Sequence, residues 1–220
     1  MSSPGVWAVV VAAGRGDRFG GPKQYEDLGG RRVIDWSVAA ARSACDGVVL
    51  VVAPDLAAAA EAESGTTEAA ADAVVAGGTT RSDSVRAGLA VVPEAAGIVV
   101  VHDAARPLAA GVLFERVIDA VRGGADGAVP ALPVTDTVKR IDDDARVVET
   151  LDRTRLVAVQ TPQAFRAAAL RRAHATADDA TDDAALVEAT GGTVVVVAGD
   201  PANVKVTRAE DLERLRRTVP

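Results

Sequence analysis

The first region of the chain whose residue types are suited to chemistry is a glycine-rich stretch behind an apolar run. Residues 11–25 read V-A-A-G-R-G-D-R-F-G-G-P-K-Q-Y, and the cations Arg18 and Lys23 accompany Gly14 and Gly16. Glycines let backbone N–H groups approach phosphate oxygens because no Cβ interferes, and the two cations would bring fixed positive charge to the same place. The stretch therefore predicts a phosphate-binding loop, with a tight turn carrying two surface cations as the alternative.

The spacing of these glycines differs from that of two common phosphate-binding loops. A dinucleotide-binding loop reads G-x-G-x-x-G, but here the third glycine, Gly20, comes one position late. A ribose-binding acid is expected about 20 residues further on, whereas the first carboxylate near the end of the second predicted strand is Asp55. No G-K-[ST] sequence follows, as a P-loop requires. A nicotinamide-dependent dehydrogenase and a P-loop enzyme are therefore both disfavoured.

Two further stretches place polar residues where a strand is predicted to end. Residues 77–89 (G-G-T-T-R-S-D-S-V-R-A-G-L) open a helix, and their hydroxyl and N–H groups suit a base, a ribose or a phosphate; a plain N-capped helix is the alternative. Residues 99–107 (V-V-V-H-D-A-A-R-P) end a buried strand, where open α/β sheets bind ligands. Asp103 is suited to Mg²⁺ and Arg106 to a phosphate, with a local ion pair as the alternative.

These candidate residues depend on an alternation of apolar strands and helices along the chain. The strand-like runs cover residues 6–13, 47–53, 73–76, 98–102, 127–132 and 193–197. The helical stretches cover residues 33–44, 55–63, 84–92, 112–122, 164–175, 183–189 and 209–217. Continuous apolar strands separated by helices predict a parallel sheet that is covered on both faces. The predicted fold class is α/β: a doubly wound, mostly parallel twisted sheet with helices on both faces, in a single domain over residues 1–220.

One segment interrupts the alternation. Residues 134–153 predict two alternating strands around the acidic turn 142–145, which is an inserted β-hairpin arm. An isolated hairpin has little core of its own and is marginally stable in water. We therefore expect the arm to pack against a second subunit, with a surface hairpin on a monomer as the alternative.

Composition and charge limit the classes of protein. The 220 residues are 49% hydrophobic, mostly Ala and Val, which suffices for a packed core and argues against disorder. The net charge of −7 disfavours a nucleic-acid partner, which normally binds a basic face. No apolar run approaches the ~20 residues of a membrane span and no signal peptide is apparent, so we expect no membrane partner and a cytoplasmic location. The lone Cys45 predicts neither a disulfide nor a cysteine metal site, but a small buried residue.

Taken in order, the motifs of the chain resemble those of one enzyme family. They are A-A-G-R-G-D-R, P-K-Q-Y, G-G-x-x-R-x-D-S-V, H-D-A-A-R-P, D-T-V-K-R, L-D-R, T-P-Q-A-F, T-D-D-A and N-V-K-V-T. This set resembles the 2-C-methyl-D-erythritol 4-phosphate cytidylyltransferases, which are nucleotidyltransferases of the glycosyltransferase-A-like type. Ribitol-5-phosphate cytidylyltransferase shares most of the pattern, although H-D-A-A-R-P together with T-P-Q-A-F is more similar to the erythritol enzymes.

The resemblance implies a reaction, a cofactor and a partner. The cytidylyl group of CTP would pass to 2-C-methyl-D-erythritol 4-phosphate, giving 4-diphosphocytidyl-2-C-methylerythritol and pyrophosphate in non-mevalonate isoprenoid biosynthesis. Mg²⁺ or another divalent cation would lie near Asp103, and a homodimer would form through the arm. The alternatives are the ribitol-phosphate enzyme and a non-catalytic nucleotide sensor of the same fold. A sensor would be expected to lose Arg18, Lys23 or Asp103, and all three are present.

The resemblance also implies roles for individual residues. Arg18 and Lys23 would stabilise the transition state, and Arg153 and Lys205 would position the acceptor phosphate. The implied nucleotide-binding residues are Ala12, Ala13, Gly14, Gly16, Lys23, Gly78, Thr79, Ser84 and Ala104. The implied sugar-phosphate-binding residues are Asp103, Arg106, Thr137, Arg153, Thr161, Thr181 and Lys205. Of the two histidines, His102 is expected to form hydrogen bonds at a strand end rather than act as a base, and His174 is expected at the surface.

Overall fold

The computed structural model describes residues 5–63, 71–176, 180 and 182–219. The strands are β1 (Gly5–Ala12), β2 (Asp27–Leu28), β3 (Arg31–Arg32), β4 (Gly47–Val52), β5 (Ala73–Ala76), β6 (Ala96–Asp103), β7 (Gly127–Pro133), β8 (Lys139–Ile141), β9 (Val147–Thr150), β10 (Val157–Val159), β11 (Gln163–Arg166) and β12 (Val194–Ala198). The helices are α1 (Val33–Arg42), α2 (Ala57–Glu63), α3 (Arg81–Leu89), α4 (Gly111–Arg122), α5 (Ala167–Thr176), α6 (Asp183–Ala189) and α7 (Ala209–Arg216). Within the described ranges, no helix combines the length and the apolar sequence that a membrane crossing needs.

In the described part of the chain, eight strands form the main sheet, and most of the strand pairs are parallel. The order β5-β4-β1-β6 is parallel throughout, and β12 pairs with β7 in parallel. Strand β11 lies between β6 and β7 and runs antiparallel to both, while β10 runs antiparallel to the far end of β7. The predicted mostly parallel α/β sheet is confirmed.

The helices cover both faces of this sheet, as the apolar strands predicted. Consecutive residues of β1 alternate between two core clusters: Ala8 and Val10 pack in one, and Val9 packs in the other. The first cluster contains residues of α1 and α4, and the second contains residues of α3, α5 and α6. A strand that is buried on both sides needs apolar residues at every position, which explains the uninterrupted apolar run at the start of the chain.

The antiparallel strand β11 was missed by the sequence analysis. A helix was predicted over residues 164–175, but it begins only at Ala167, and the preceding four residues extend the sheet. The fully buried ring of Phe165 stands opposite Gly127, where an added Cβ would lie 2.7 Å from a ring carbon. Packing of one aromatic ring over a glycine therefore determines that this segment is a strand and not the start of the helix. A strand of four residues is too short for its periodicity to be recognised in the sequence.

The predicted hairpin arm is present. Strands β8 and β9 pair antiparallel, and every residue of both strands is exposed. The turn between them is closed by the Asp142 carboxylate, which accepts hydrogen bonds from the amides of Asp144 (3.1 Å) and Arg146 (2.8 Å). The acidic turn thus stabilises the hairpin itself. Apolar side chains of the arm, such as Val147, are exposed.

Candidate active site

The glycine loop after β1 is closed by its own backbone. Gly16 has a φ of +72°, and its carbonyl accepts hydrogen bonds from the amides of Phe19 (2.8 Å) and Gly20 (3.0 Å). A Cβ added to Gly16 would lie 1.9 Å from the carbonyl oxygen of Gly21. No other residue type fits this position without moving the loop, so Gly16 determines where the flanking cations lie.

A buried glutamine braces the same loop. Gln24 lies in a short 3₁₀ turn, Lys23–Tyr25, and its side-chain amide donates to the carbonyls of Ala12 (2.9 Å) and Gly14 (3.1 Å). The P-K-Q-Y motif was recognised in the sequence, but no role was predicted for Gln24. Its position directly after a glycine loop was the feature that could have indicated one. Because these two carbonyls are already bonded, the loop is left with N–H groups to offer a ligand.

The second predicted nucleotide segment packs directly against the first. A Cβ added to Gly77 would lie 2.5 Å from the Cβ of Ala13, so the glycine permits close contact between the two loops. The Ser84 hydroxyl accepts from the Gly78 amide (3.2 Å) and donates to the Thr80 carbonyl (2.9 Å). The hydroxyl of Ser84 therefore shapes the loop.

Helix α3 begins at this loop with a reciprocal cap. The Thr80 hydroxyl accepts from the Asp83 amide (3.0 Å), and the Asp83 carboxylate accepts from the Thr80 amide (3.1 Å) and the Thr79 hydroxyl (2.8 Å). The same hydrogen bonds, with Arg86 contributing most, lower the pKa of Asp83. The cap fixes the start of α3 and hence the position of Arg81, its first residue.

Asp103 stands at the end of β6, between two cations. The Lys205 ammonium lies 2.7 Å from Asp103 Oδ2, and Arg81 Nε lies 3.3 Å from Oδ1. Burial by itself raises the pKa of Asp103, but Arg81 and Lys205 outweigh burial and hold this pKa well below its ordinary value. Asp103 is therefore ionised at neutral pH.

Positive charge converges beside this carboxylate. Burial lowers the pKa of Lys23, and the like charges of Lys205 and Arg18 lower it further, while Asp103 and Asp211 partly offset them. Cations brought together in this way repel one another, and an anion relieves that repulsion. The arrangement suits a polyphosphate ligand although the chain as a whole is acidic.

A cavity of about 220 Å³ opens next to these cations. Its lining residues are Arg81, Asp103, Arg106, Val159, Gln160, Thr161, Gln163, Asp182 and Lys205. The structure thus brings together Asp103, Arg106, Thr161 and Lys205, four of the predicted sugar-phosphate residues. It adds Arg81, Gln163 and Asp182, which lie inside motifs that the sequence analysis quoted without assigning them a role.

Hydrogen bonds hold the predicted residues of the cavity in place. The Thr161 hydroxyl accepts from the Asp103 amide (3.1 Å) and contacts His102 Nδ1 (3.1 Å). Arg106 donates through Nη1 to the Asn203 carbonyl (2.7 Å), and its buried Nε has no partner within the described chain. A buried donor without a partner is unusual in a native protein, and it leaves Arg106 with capacity to bind an anion.

Two predicted sugar-phosphate residues, Thr137 and Arg153, do not line the cavity among the described residues of this chain. Thr137 and Arg153 lie on the exposed arm, and the Arg153 guanidinium donates to the carbonyl of Thr135. Thr181 lies outside the described residues. The described part of one chain therefore supplies the cavity without the arm.

The expectation for His102 is confirmed and that for His174 is wrong, while Cys45 is only partly buried rather than buried as expected. His102 is buried and its Nε2 contacts the Arg106 carbonyl (3.2 Å); burial lowers its pKa to about 4, so it is a neutral hydrogen-bonding group. His174 is only 6% exposed and contacts Asp183 at 2.9 Å, so its expected surface position is wrong. The charged neighbours of His174 in sequence point elsewhere around helix α5, which a run of residues read alone does not reveal. Burial raises the pKa of the Cys45 thiol to about 12, as suits an unreactive residue.

Comparisons with known proteins all give one family. The family model described as IspD, 2-C-methyl-D-erythritol 4-phosphate cytidylyltransferase, matches residues 6–217. The 2-C-methyl-D-erythritol 4-phosphate cytidylyltransferase of Streptomyces coelicolor is 48% identical over 93% of this chain and 81% of that protein. The bifunctional enzyme IspD/IspF of Clavibacter michiganensis is 46% identical over 98% of this chain and 55% of that protein, so the chain spans about half the length of this bifunctional relative.

A solved structure gives the same result for the fold. The crystal structure of 4-diphosphocytidyl-2C-methyl-D-erythritol synthase from Anaerococcus prevotii superposes with a TM-score of 0.83 at 30% identity, over 97% of both chains. The match extends across the sheet, the helices and both glycine loops, rather than over a single motif. The chain belongs to the 2-C-methyl-D-erythritol 4-phosphate cytidylyltransferase family.

Proposed function

We propose that the chain transfers the cytidylyl group of CTP to 2-C-methyl-D-erythritol 4-phosphate, releasing pyrophosphate, in non-mevalonate isoprenoid biosynthesis. The observation that carries this proposal is the contact of Lys205 with Asp103 (2.7 Å) at a cavity of about 220 Å³, with Lys23 close enough to Lys205, Arg18 and Asp103 for their charges to shift its pKa. Family membership supports the choice of substrates. The cytoplasm, expected from the sequence, stays a prediction.

The proposed mechanism needs no general base. A phosphate oxygen of the acceptor is already anionic, and it attacks the α-phosphorus in line while pyrophosphate leaves. Two polyanions must meet and negative charge must move onto pyrophosphate, so catalysis consists of positioning and charge stabilisation. Arg18 and Lys23 supply the stabilising charge, in agreement with a neutral, hydrogen-bonded His102 and an unreactive Cys45.

The nucleotide side of the site is assigned to the two abutting glycine loops. Backbone N–H groups near Ala12, Ala13, Gly14 and Gly16 would face the phosphates, since Gln24 occupies two of the carbonyls there. Gly78, Thr79 and Ser84 would shape the pocket for the base and ribose. Ala104 would contribute close packing rather than hydrogen bonds, because its amide is bonded to Val11 (3.0 Å) and its carbonyl to Ser37 (2.9 Å).

The acceptor side is assigned to the cavity. Lys205 and Arg106 would hold the acceptor phosphate, and Asp103 and Thr161 would contact the sugar, together with Thr181. Lys205 would leave Asp103 Oδ2 when the phosphate arrives, because its side chain is 41% exposed and a lysine side chain is flexible.

The residues present fit a divalent cation that is held mainly by substrate. Among the described residues no group of three or more carboxylate, histidine or cysteine side chains could hold a metal. Mg²⁺ is usually bound by one or two carboxylates together with substrate phosphates, and the ionised Asp103 offers one carboxylate at the cavity. We assign Asp103 to this cation, which when bound neutralises charge on the phosphates.

We also propose a homodimer that completes each site through the arm. The arm carries exposed apolar side chains, including Ile141, Val147 and Val148, of which Val147 is 60% exposed. Exposed apolar residues grouped on one element are typical of an interaction surface. Arg153 and Thr137 would then reach the cavity of the neighbouring subunit and position its acceptor phosphate.

Mixed dimers test this arrangement. Arg153→Ala and Lys205→Ala chains are co-expressed with different tags, and each variant alone is expected to be inactive. If the arm completes the neighbouring site, half of the dimers are mixed and each mixed dimer has one intact site, which gives about a quarter of wild-type activity. No recovery in isolated mixed dimers would show that each site is built from a single chain.

Pyrophosphate release tests the activity itself. The wild-type chain is assayed with CTP and Mg²⁺, with 2-C-methyl-D-erythritol 4-phosphate and ribitol 5-phosphate offered side by side. Release with the first acceptor only, lost in Lys23→Ala and kept in Arg15→Ala, supports the proposal; Arg15 is an exposed cation of the same loop. Release with ribitol 5-phosphate instead would keep the mechanism and change the substrate, and no release with either would contradict the activity.

A further inference from the structure

A chain of polar contacts runs from the cavity through the half-buried Arg81 to two buried side chains, Asp183 and His174. Arg81 donates through Nε to Asp103 Oδ1 (3.3 Å) and through Nη1 to Asp183 Oδ2 (2.7 Å). The other oxygen of Asp183, Oδ1, contacts His174 Nε2 at 2.9 Å. Asp183 is fully buried, and both of its oxygens have partners. Neither Arg81 nor Asp183 nor His174 has a role in the mechanism described above.

These residues come from elements that build both halves of the site. Arg81 is the first residue of α3, directly after the glycine loop that includes Gly78 and Thr79. Asp183 is the first residue of α6, next to Asp182, which lines the cavity. His174 lies on α5, which packs against α6. The bridge through Arg81 therefore fixes the nucleotide loop, the end of β6 and the acceptor side relative to one another.

The charge of Arg81 is already matched, unlike that of the other cations in the cavity. Its guanidinium bridges two carboxylates. Within the described ranges, the Arg106 side chain donates to one backbone carbonyl and Lys205 contacts one carboxylate. A guanidinium that is already paired with two carboxylates attracts a further anion only weakly. Arg81 is thus better suited to hold Asp103 than to bind a phosphate itself.

We propose that Arg81, anchored by Asp183, is a positioning residue that holds Asp103 Oδ1 and so frees Lys205 to exchange Asp103 Oδ2 for the acceptor phosphate. This inference rests on the proposed function of the same site. Asp103 is ionised and largely buried, so it needs an ion-pair partner from the protein whenever no divalent cation is bound to it. With Arg81 fixed, Asp103 keeps one cation when Lys205 moves; without Arg81, Lys205 would be the remaining ion-pair partner of Asp103 and would leave it at greater cost.

A charge-balanced double variant tests the positioning role. Arg81→Met combined with Asp183→Asn removes one positive and one negative charge, so no buried charge is left unpaired, and Asn still offers an oxygen to His174. The KM for the acceptor is expected to rise on the order of tenfold to a hundredfold, because Lys205 stays with Asp103. The KM for CTP and the melting temperature are expected to change little, since the cap of α3 at Thr80 and Asp83 is retained.

A matched control removes an ion pair of the same type elsewhere. Arg122 and Asp119 form an exposed pair (3.3 Å) on α4, and Arg122→Met with Asp119→Asn is expected to leave both KM values unchanged. An acceptor KM in the Arg81 double variant that equals the wild-type value would overturn the proposal. So would an equal rise of both KM values, or a fall in melting temperature without a change in the acceptor KM, because each indicates a merely structural role.

Calorimetry separates this inference from the proposed activity. Inorganic phosphate is titrated into the wild-type chain and into the Arg81→Met/Asp183→Asn variant, without CTP or an acceptor. Phosphate is expected to bind the wild-type chain about tenfold more tightly, since one ion pair at the site decides whether Lys205 is released. Equal affinity, or no binding to the wild-type chain, would overturn the positioning role of Arg81 even if turnover is observed. A tenfold difference in phosphate affinity would support that role even if the acceptor proves to be another phosphate.

Discussion

At the scale of single residues, function and stability oppose each other at Lys23. Burial and the nearby cations Lys205 and Arg18 lower the pKa of its ammonium below the ordinary value of 10.5. A lysine whose folded pKa lies below its unfolded pKa opposes folding while it is charged, and this penalty disappears as pH rises toward 10.5. Under the proposed function, the charge that destabilises the fold is the one that binds the anionic substrate.

We predict that Lys23→Met inactivates the protein but stabilises it. Loss of a cation directed at the transition-state charge is expected to lower kcat by about 10²–10³. The melting temperature is expected to rise at pH 7, with the gain shrinking as the pH approaches 10.5, since the wild-type ammonium is then neutral. Pyrophosphate release and thermal unfolding at pH 7 and pH 10 check both parts; a lower melting temperature at pH 7 would contradict this account of Lys23.

The second residue-scale prediction concerns Gly16. Gly16→Ala requires a positive φ for alanine and a contact of 1.9 Å with the Gly21 carbonyl, so the loop is forced to move and the KM for CTP is expected to rise by about tenfold or more. Gly21→Ala is the matched control, because an added Cβ there meets nothing within 4 Å. Steady-state kinetics with CTP compare the two, and equal behaviour would show that the loop geometry does not limit nucleotide binding.

At the scale of elements, the glycine loop is attached to the carboxyl-terminal segment by an apolar cluster. The cluster includes Val206, Leu212 and Leu215, and Phe19 of the loop packs against it. Phe19 directly follows Arg18 in the chain, and Val206 directly follows Lys205. Packing of these apolar neighbours offsets the repulsion between the cations and holds the two segments together.

This attachment predicts that shortening two side chains of the same cluster to alanine has different effects on the KM for CTP. Phe19→Ala is expected to raise the KM for CTP by about tenfold, because the loop that carries Arg18 is released from α7. Val219→Ala removes a partly buried side chain that packs against the same cluster but adjoins no cation, and it is expected to lower only the melting temperature. Kinetics and thermal unfolding of both variants provide the measurement. If the KM for CTP rises in Val219→Ala but not in Phe19→Ala, the role given to Phe19 is refuted.

At the scale of the whole molecule, an acidic protein concentrates its positive potential at one place. The net charge is −7, yet Arg18 and Lys205 lie close enough to Lys23 to lower the pKa of its ammonium. Anions are repelled by most of such a surface and attracted to one cleft, so a polyphosphate is expected to bind specifically and to stabilise the fold.

We therefore predict that inorganic tripolyphosphate raises the melting temperature. At a hundredfold excess over its Kd the expected rise is roughly 5–10 °C for a chain of this length. Sodium chloride at the same ionic strength is expected to give a much smaller rise, and Lys23→Met is expected to lose most of the response. Differential scanning calorimetry measures these shifts; an equal response in Lys23→Met would mean that the polyphosphate binds elsewhere.

The sequence alone determined the features that local chemistry encodes. The apolar alternation predicted the mostly parallel sheet with helices on both faces, and the acidic turn after residue 141 predicted the hairpin arm. The segment after β6 was expected to bind a ligand because open α/β sheets bind ligands at the carboxyl ends of their strands, and the structure brings Lys23 near Asp103. The implied roles of Arg153, Thr137 and Thr181 stay predictions.

The tertiary structure decided which residues of distant segments pair. The contacts of Asp103 with Lys205 and of Arg81 with Asp183 each span 102 residues, and neither has a local signal in the sequence. The same holds for strand β11, which packs Phe165 over Gly127, and for His174, which is buried against Asp183. Periodicity and motif spacing act over about a turn or a strand, whereas these pairings follow from how whole elements pack, so only the folded chain determines them.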